Sequence, residues 1–177
     1  MRHPDGELLL LARQGNQRAA KELVERYATP LFGYIMRLTG QRETAEDIFQ
    51  DTFTRVFQDN SRYSEQGNFK AWLFRIAHNQ IVDLIKKRRI DTVNVEPELL
   101  TNKQPDTLEQ MVRTEQQKRM LELVERLPLK QKTVLLMRLE GKLSFKEIAV
   151  ALNCSINTVI ARMHYAVKKL REELNHD

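Results

Sequence analysis

A chain of 177 residues holds one mid-sized domain or two small ones, and a hydrophobic content of 41% is enough to pack their cores. The 29 Lys and Arg outnumber 24 Asp and Glu, a net charge of +5 that favours a polyanionic partner without requiring one. A single cysteine, Cys154, excludes an internal disulfide and any multi-cysteine metal site.

The chain opens without a basic-then-apolar leader, and Leu8 to Leu11 is too short for a secretory core. Nothing approaches a membrane span, so a cytoplasmic protein that does not insert into membranes is expected. Helical spacing runs through the amino-terminal block, with breaks at Gly15-Asn16, Gly40 and Asn60 to Asn68 and no alternating strand pattern. The most regular helix begins near Glu43. Ala45, Ile48, Phe49, Thr52, Phe53, Val56 and Phe57 make its inward stripe, and Glu46, Asp47, Gln50, Asp51 and Arg55 cover the other side. On its own that polar face reads as solvated.

The next helix is capped by Asn68, and Phe69, Trp72, Leu73, Ile76, Ala77, Ile81, Leu84 and Ile85 recur at helical spacing. It ends in Lys86, Lys87, Arg88 and Arg89, a placement the helix macrodipole already favours. The dipole does not account for Lys70, Phe74, Arg75, His78, Asn79 and Asp83 on the same helix, or for Arg62 and Tyr63 in the polar loop before it. Aromatic rings beside cations suit unstacked bases, which need a π-face, edge partners and neutralised phosphates. Trp72 is ambiguous, since it also lies on the inward stripe, where core packing is the commoner fate.

Thr92 to Gln110, with Pro97, Pro105 and clustered acids, reads as a flexible linker. Charge divides with it: residues 1–90 hold 15 basic and 11 acidic side chains, 91–112 hold 1 and 5, and 113–177 hold 13 and 8. Two cationic blocks around an acidic connector suit two separate contacts with a polyanion.

In the last block, Ser144 and Glu147 form a capping box ahead of a short helix whose inward face is Phe145, Ile148, Ala149 and Leu152. Asn153 tolerates the left-handed geometry of a sharp turn, Cys154 packs inside that turn, and Ser155 caps the helix that follows. There Val159, Met163, Ala166, Val167 and Leu170 face inward. Asn157, Thr158, Ala161, Arg162, Tyr165, Lys168 and Lys169 lie outward or on the flank. Such a helix-turn-helix places its second helix in a DNA groove. The predicted fold is all-α: two small helical domains joined by a flexible linker, the second with a helix-turn-helix.

Three rival functions remain at this point. A stand-alone helix-turn-helix regulator needs a dimerisation face and a palindromic site, and a helical interaction module needs a protein partner. An enzyme is the weakest. His3, His78, His164 and His176 lack metal spacing, and there is no Gly-rich phosphate loop, no nucleophile paired with a base and no implied cofactor.

The segments AEDIFQDTFTRVFQ, FKAWLFRIAHNQIVDLIKKRR and LPLKQKTVLLMRLEGKLSFKEIAVALNCSINTVIARMHYAVKKLREEL resemble three successive signatures of bacterial sigma factors of the extracytoplasmic-function type, in order and across nearly the whole chain. The resemblance implies a transcription initiation factor without catalysis. Residues 1–90 would bind core RNA polymerase and melt the proximal promoter element, 91–112 would run through the RNA exit channel, and 113–177 would read the distal element. It implies that Asp47, Gln50 and Asp51 dock on the clamp helices of the polymerase's largest subunit. Arg62, Tyr63, Phe69, Lys70, Trp72, Arg75, His78, Asn79, Asp83, Lys86, Lys87, Arg88 and Arg89 would hold proximal promoter DNA. Ser155, Asn157, Thr158, Ala161, Arg162, Tyr165 and Lys169 would hold the distal element, with Arg162 reading it. It further implies an anti-sigma partner, often anchored in the membrane. Departures are Ile160 and Ala161, where the family often has Lys or Arg followed by Ser, Tyr165 in place of another Arg, and Asn153 in place of Gly. They imply a weaker salt dependence and a shifted distal preference, because apolar side chains meet thymine methyls rather than phosphates.

Overall fold

The computed structural model describes residues 3–58, 68–91 and 115–175, which form eight α-helices and no strand. The amino-terminal unit comprises α1 (Asp5–Arg13), α2 (Gln17–Thr39), α3 (Arg42–Gln58) and α4 (Phe69–Asp91). The carboxyl-terminal unit comprises α5 (Glu115–Glu125), α6 (Leu129–Leu139), α7 (Phe145–Leu152) and α8 (Ile156–Asn175). Arg62, Tyr63, the side chain of Arg89 and the connector from Thr92 onward, with Pro97 and Pro105, lie outside the described residues. Among the described residues no helix is long and apolar enough to cross a membrane.

Short-range chemistry sets most helix ends. Asn16 caps α2 by accepting from the Ala19 N–H at 3.1 Å, and Gly40 closes it at φ +68°, a left-handed conformation that glycine adopts without a Cβ penalty. At α7 the Glu147 N–H donates to the Ser144 hydroxyl at 3.2 Å, while the Ser144 N–H donates to the Glu147 carboxylate at 2.5 Å. The expected capping box is therefore present, and Asn153 ends α7 at φ 49° as its short polar side chain permits. Ser155 then caps α8 by accepting from the Thr158 N–H at 3.1 Å.

Within the amino-terminal unit, Leu8, Leu23, Leu31, Ile35, Ala45, Val56, Leu73 and Ile81 are almost wholly buried. Polar ties fix the helix ends around them. Asp5 accepts from Arg26 at 2.6 Å and from the Tyr27 hydroxyl at 2.5 Å, and Arg13 donates to the Val56 carbonyl at 3.0 Å. In the other unit Val134, Met137, Leu143, Ile148, Val159 and Ala166 are the equivalent core, and half-buried Cys154 packs at its edge.

The two cores are continuous. α4 lies against α7 and α2 against α6, so the apolar cluster runs from Leu8 to Ala166 without a break. The packing corrects three expectations. Phe74, assigned to the outer face of α4, is 0% exposed, because α4 packs on both sides. Phe69, a predicted base contact, is 2% exposed, its ring 5.4 Å from Tyr27 and 6.0 Å from Trp72. Val167, assigned inward, is 41% exposed, since Ala166 beside it already fills the turn of α8 that faces α6.

Candidate nucleic-acid interface

Three surfaces carry the predicted site residues. On α3, Asp47, Gln50 and Asp51 are all exposed, held on one face by the buried stripe of Ala45, Ile48, Thr52, Phe53 and Val56 behind them. Arg55 pairs with Asp51 at 2.9 Å and Arg42 with Glu46 at 2.8 Å, both one helical turn apart on the surface. Exposed pairs of this kind contribute only about 0.3–0.5 kcal/mol, so the acidic face stays available to a partner.

Along α4 the predicted residues separate into two groups. Arg75, Asn79, Asp83, Lys86 and Lys87 are exposed. Trp72 is half-buried, and Arg88 reaches back to the Gln41 side chain at 3.1 Å, tying the basic end of α4 to the start of α3. Lys70 and His78, also half-buried, each meet a partner within the protein. The Lys70 ammonium donates to the Lys142 carbonyl at 3.0 Å, and burial there lowers its pKa. His78 Nδ1 lies 3.0 Å from the hydroxyl of fully buried Tyr34, and burial, reinforced by the charge of Arg162, lowers the imidazole to about 4. His78, expected at the surface or facing DNA, is thus half-buried beside Tyr34.

A pH dependence follows from that burial. Unfolded, His78 binds a proton near pH 6.5; folded, it stays neutral until about 4, so stability is complete above 6.5 and is lost as pH falls between these values. At pH 5 the loss from this group is on the order of 2 kcal/mol. Melting His78→Gln beside the parent chain at pH 7 and pH 5 checks it: the acid-induced drop in Tm should be smaller in the variant. Equal drops in both proteins contradict the assignment.

On α8, Ser155, Asn157, Ala161, Tyr165 and Lys168 are exposed, while Thr158, Arg162 and Lys169 are half-buried. The Thr158 hydroxyl is 2.9 Å from that of Ser155, so it serves the cap as well as the surface. Two features escaped the sequence reading. Ile156, 41% exposed, joins the expected Ile160, 45% exposed, in an apolar stripe on the outward face of α8. Gln131 of α6 lines a groove with Tyr165, Lys168 and Lys169, a juxtaposition that no spacing within α8 could reveal.

Comparison with known proteins gives the same two units in the same order. Residues 23–90 match the family Sigma-70 region 2, and residues 117–170 match Sigma-70, region 4. The chain is similar to the ECF RNA polymerase sigma factor SigW of Bacillus subtilis, at 28% identity over 92% of both chains. It is 30% identical to the RNA polymerase sigma factor CarQ of Myxococcus xanthus, again over 92% of both. Among solved structures it resembles CnrH in complex with the cytosolic domain of CnrY, at 26% identity, a TM-score of 0.73 and 98% coverage of each chain.

Proposed function

Because this chain belongs to the sigma-70 family, as an RNA polymerase sigma factor of the extracytoplasmic-function type, we propose how its residues divide the work of promoter-directed initiation. The protein is a transcription initiation factor and not an enzyme. Residues 1–90 hold core polymerase through Asp47, Gln50 and Asp51 on the clamp helices of the largest subunit, and open the proximal element along α4. Residues 91–112 connect, and residues 113–177 read the distal element through α8.

The observation that carries this assignment is the coincidence of the two family matches with the two helical units, each with its own exposed polar or cationic helix face. Exposed Arg75, Asn79, Lys86 and Lys87 supply partners for bases and phosphates on α4. On α8 the capped first turn brings Ser155, Asn157 and Thr158 toward the DNA backbone, and Arg162 and Tyr165 toward base edges. An anti-sigma factor belongs among the partners, as CnrH was solved with the cytosolic domain of CnrY. The place of action is the cytoplasm, where polymerase and promoter are.

Run-off transcription by purified core polymerase on a genomic promoter library tests the whole assignment. Transcripts from discrete starts only when this protein is added are expected; none above core alone refutes it. For the distal element so recovered, Arg162→Ala should weaken binding of the duplex by about 1–3 kcal/mol at fixed salt, the usual range for a bidentate base contact. Fluorescence anisotropy titration measures this, and unchanged affinity removes Arg162 from the reading set.

A further inference from the structure

The match to Sigma-70 region 2 begins at residue 23 and leaves α1 (Asp5–Arg13) outside it. Yet the first turn of α1 is tied to the helix that carries the proposed proximal DNA contacts. Asp5 accepts from Arg26 at 2.6 Å through one carboxylate oxygen and from the Tyr27 hydroxyl at 2.5 Å through the other, so neighbouring residues of α2 engage both. Arg26 is held in turn by the His3 carbonyl at 3.0 Å and by Glu22 at 2.8 Å. A ladder of rings continues from Tyr27. It lies 5.4 Å from Phe69, the first residue of α4, and Phe69 lies 6.0 Å from Trp72 with the two planes at 62°. Tyr27 and Phe69 are buried, whereas half-buried Trp72 is the ring of the three that reaches the surface.

Packing alone would be satisfied by phenylalanine at position 27. A ring held only by dispersion can slide and tilt against its neighbours, since each atomic contact is weak. A phenol tied at its tip to an ionised carboxylate is fixed along its length, because charge-assisted hydrogen bonds are short and directional. The support that Tyr27 gives Phe69, and through it the tilt of Trp72, is then set from α1.

We propose that Asp5 and Tyr27 are positioning residues for promoter opening, which orient the Trp72 ring through Phe69 so that it can stack on a base leaving the proximal duplex. The proposal rests on the sigma-factor assignment above. An unstacked base is captured on an aromatic face, and that face serves best when it is already held in place as the base arrives. Neither Asp5 nor Tyr27 touches DNA; both act through the rings between them and the surface.

Tyr27→Phe removes the hydroxyl and keeps the ring, and Asp5→Asn keeps the size and removes the charge. With core RNA polymerase on a duplex promoter that the parent chain uses, each variant should yield about tenfold less run-off transcript, the factor that one hydrogen bond to a charged group is worth. On the same promoter with its proximal element mismatched and so already unpaired, the loss should shrink to under about twofold, because no base then has to be taken from the duplex. Affinity for core polymerase should stay that of the parent. Trp72 is the one tryptophan in the chain, so acrylamide quenching of its emission follows the ring in the free protein. Quenching should increase in both variants at parent-like helix content. Parent-like transcription from the duplex, equal losses on the duplex and the mismatched template, or unchanged quenching each overturns the proposal. If Asp5→Asn does not fold, Tyr27→Phe decides. A parent chain that directs no transcription with core enzyme counts against the sigma-factor assignment instead, and the quenching of Tyr27→Phe then judges the positioning role alone.

Discussion

Phe74→Ala should lower the unfolding free energy by about 3–5 kcal/mol, the range for truncating a buried aromatic whose cavity cannot collapse. Phe74 has no exposed surface, and its ring stands 5.3 Å from that of Tyr34 in the carboxyl-terminal third of α2. On its other side lies Gly141, where a Cβ would stand 2.8 Å from the ring and 2.7 Å from the Met137 carbonyl. None of these neighbours can move in without disturbing a helix end, so the void would remain. Urea denaturation at pH 7 measures the loss. Phe74→Leu keeps most of the volume and should lose less than the alanine variant. A loss under about 1 kcal/mol for Phe74→Ala, the scale of an exposed position, contradicts the burial. Because Phe74 joins both units, the variant should weaken their mutual contact as well as the amino-terminal core.

Asp47→Lys with Asp51→Lys should weaken the complex with core RNA polymerase by more than about 100-fold, because like charges set against each other across an interface cost several kcal/mol. Both side chains are exposed on α3, and among the described residues only the surface pair of Asp51 with Arg55 is lost on substitution. Folded stability should therefore stay within about 0.5 kcal/mol of the parent, which separates lost docking from lost folding. Competition against a labelled parent chain for limiting core enzyme gives the affinity ratio. Parent-like competition by the variant would take the α3 face out of the polymerase interface. The opposite test, Lys86→Glu with Lys87→Glu, should leave core binding intact and reduce promoter opening, since those cations are assigned to DNA.

The helix-turn-helix was legible almost residue by residue. Ser144, Glu147, Asn153 and Ser155 act on backbone groups three or fewer positions away, so their chemistry is complete in the sequence, and each appears in its expected role. The same holds for Asn16, Gly15 and Gly40, where the chain turns. The α3 stripe was equally clear because α3 is amphipathic in the simple sense: one face packs and the other is wet. Whether that wet face is merely solvated or docks on a partner was not written in its spacing. Family resemblance supplied the second meaning.

Helix α4 is where spacing failed. It packs against α2 and α3 on one side and α7 on another, so apolar residues surround much of its circumference and a 3.6-residue period cannot single out one buried face. Phe74 and His78 were accordingly placed outward, yet the first is in the core and the second is half-buried beside Tyr34.

By itself the sequence determined the all-helical class, the helix ends, the paired helices of the carboxyl-terminal unit and the family to which the chain belongs. Those rest on interactions between near neighbours and on motif order along one dimension. Only the tertiary structure decided that Asn68 would meet Glu147 across 79 positions and that Lys70 would meet Lys142 across 72. Burial depends on what arrives from elsewhere in the chain, and no local period encodes that arrival.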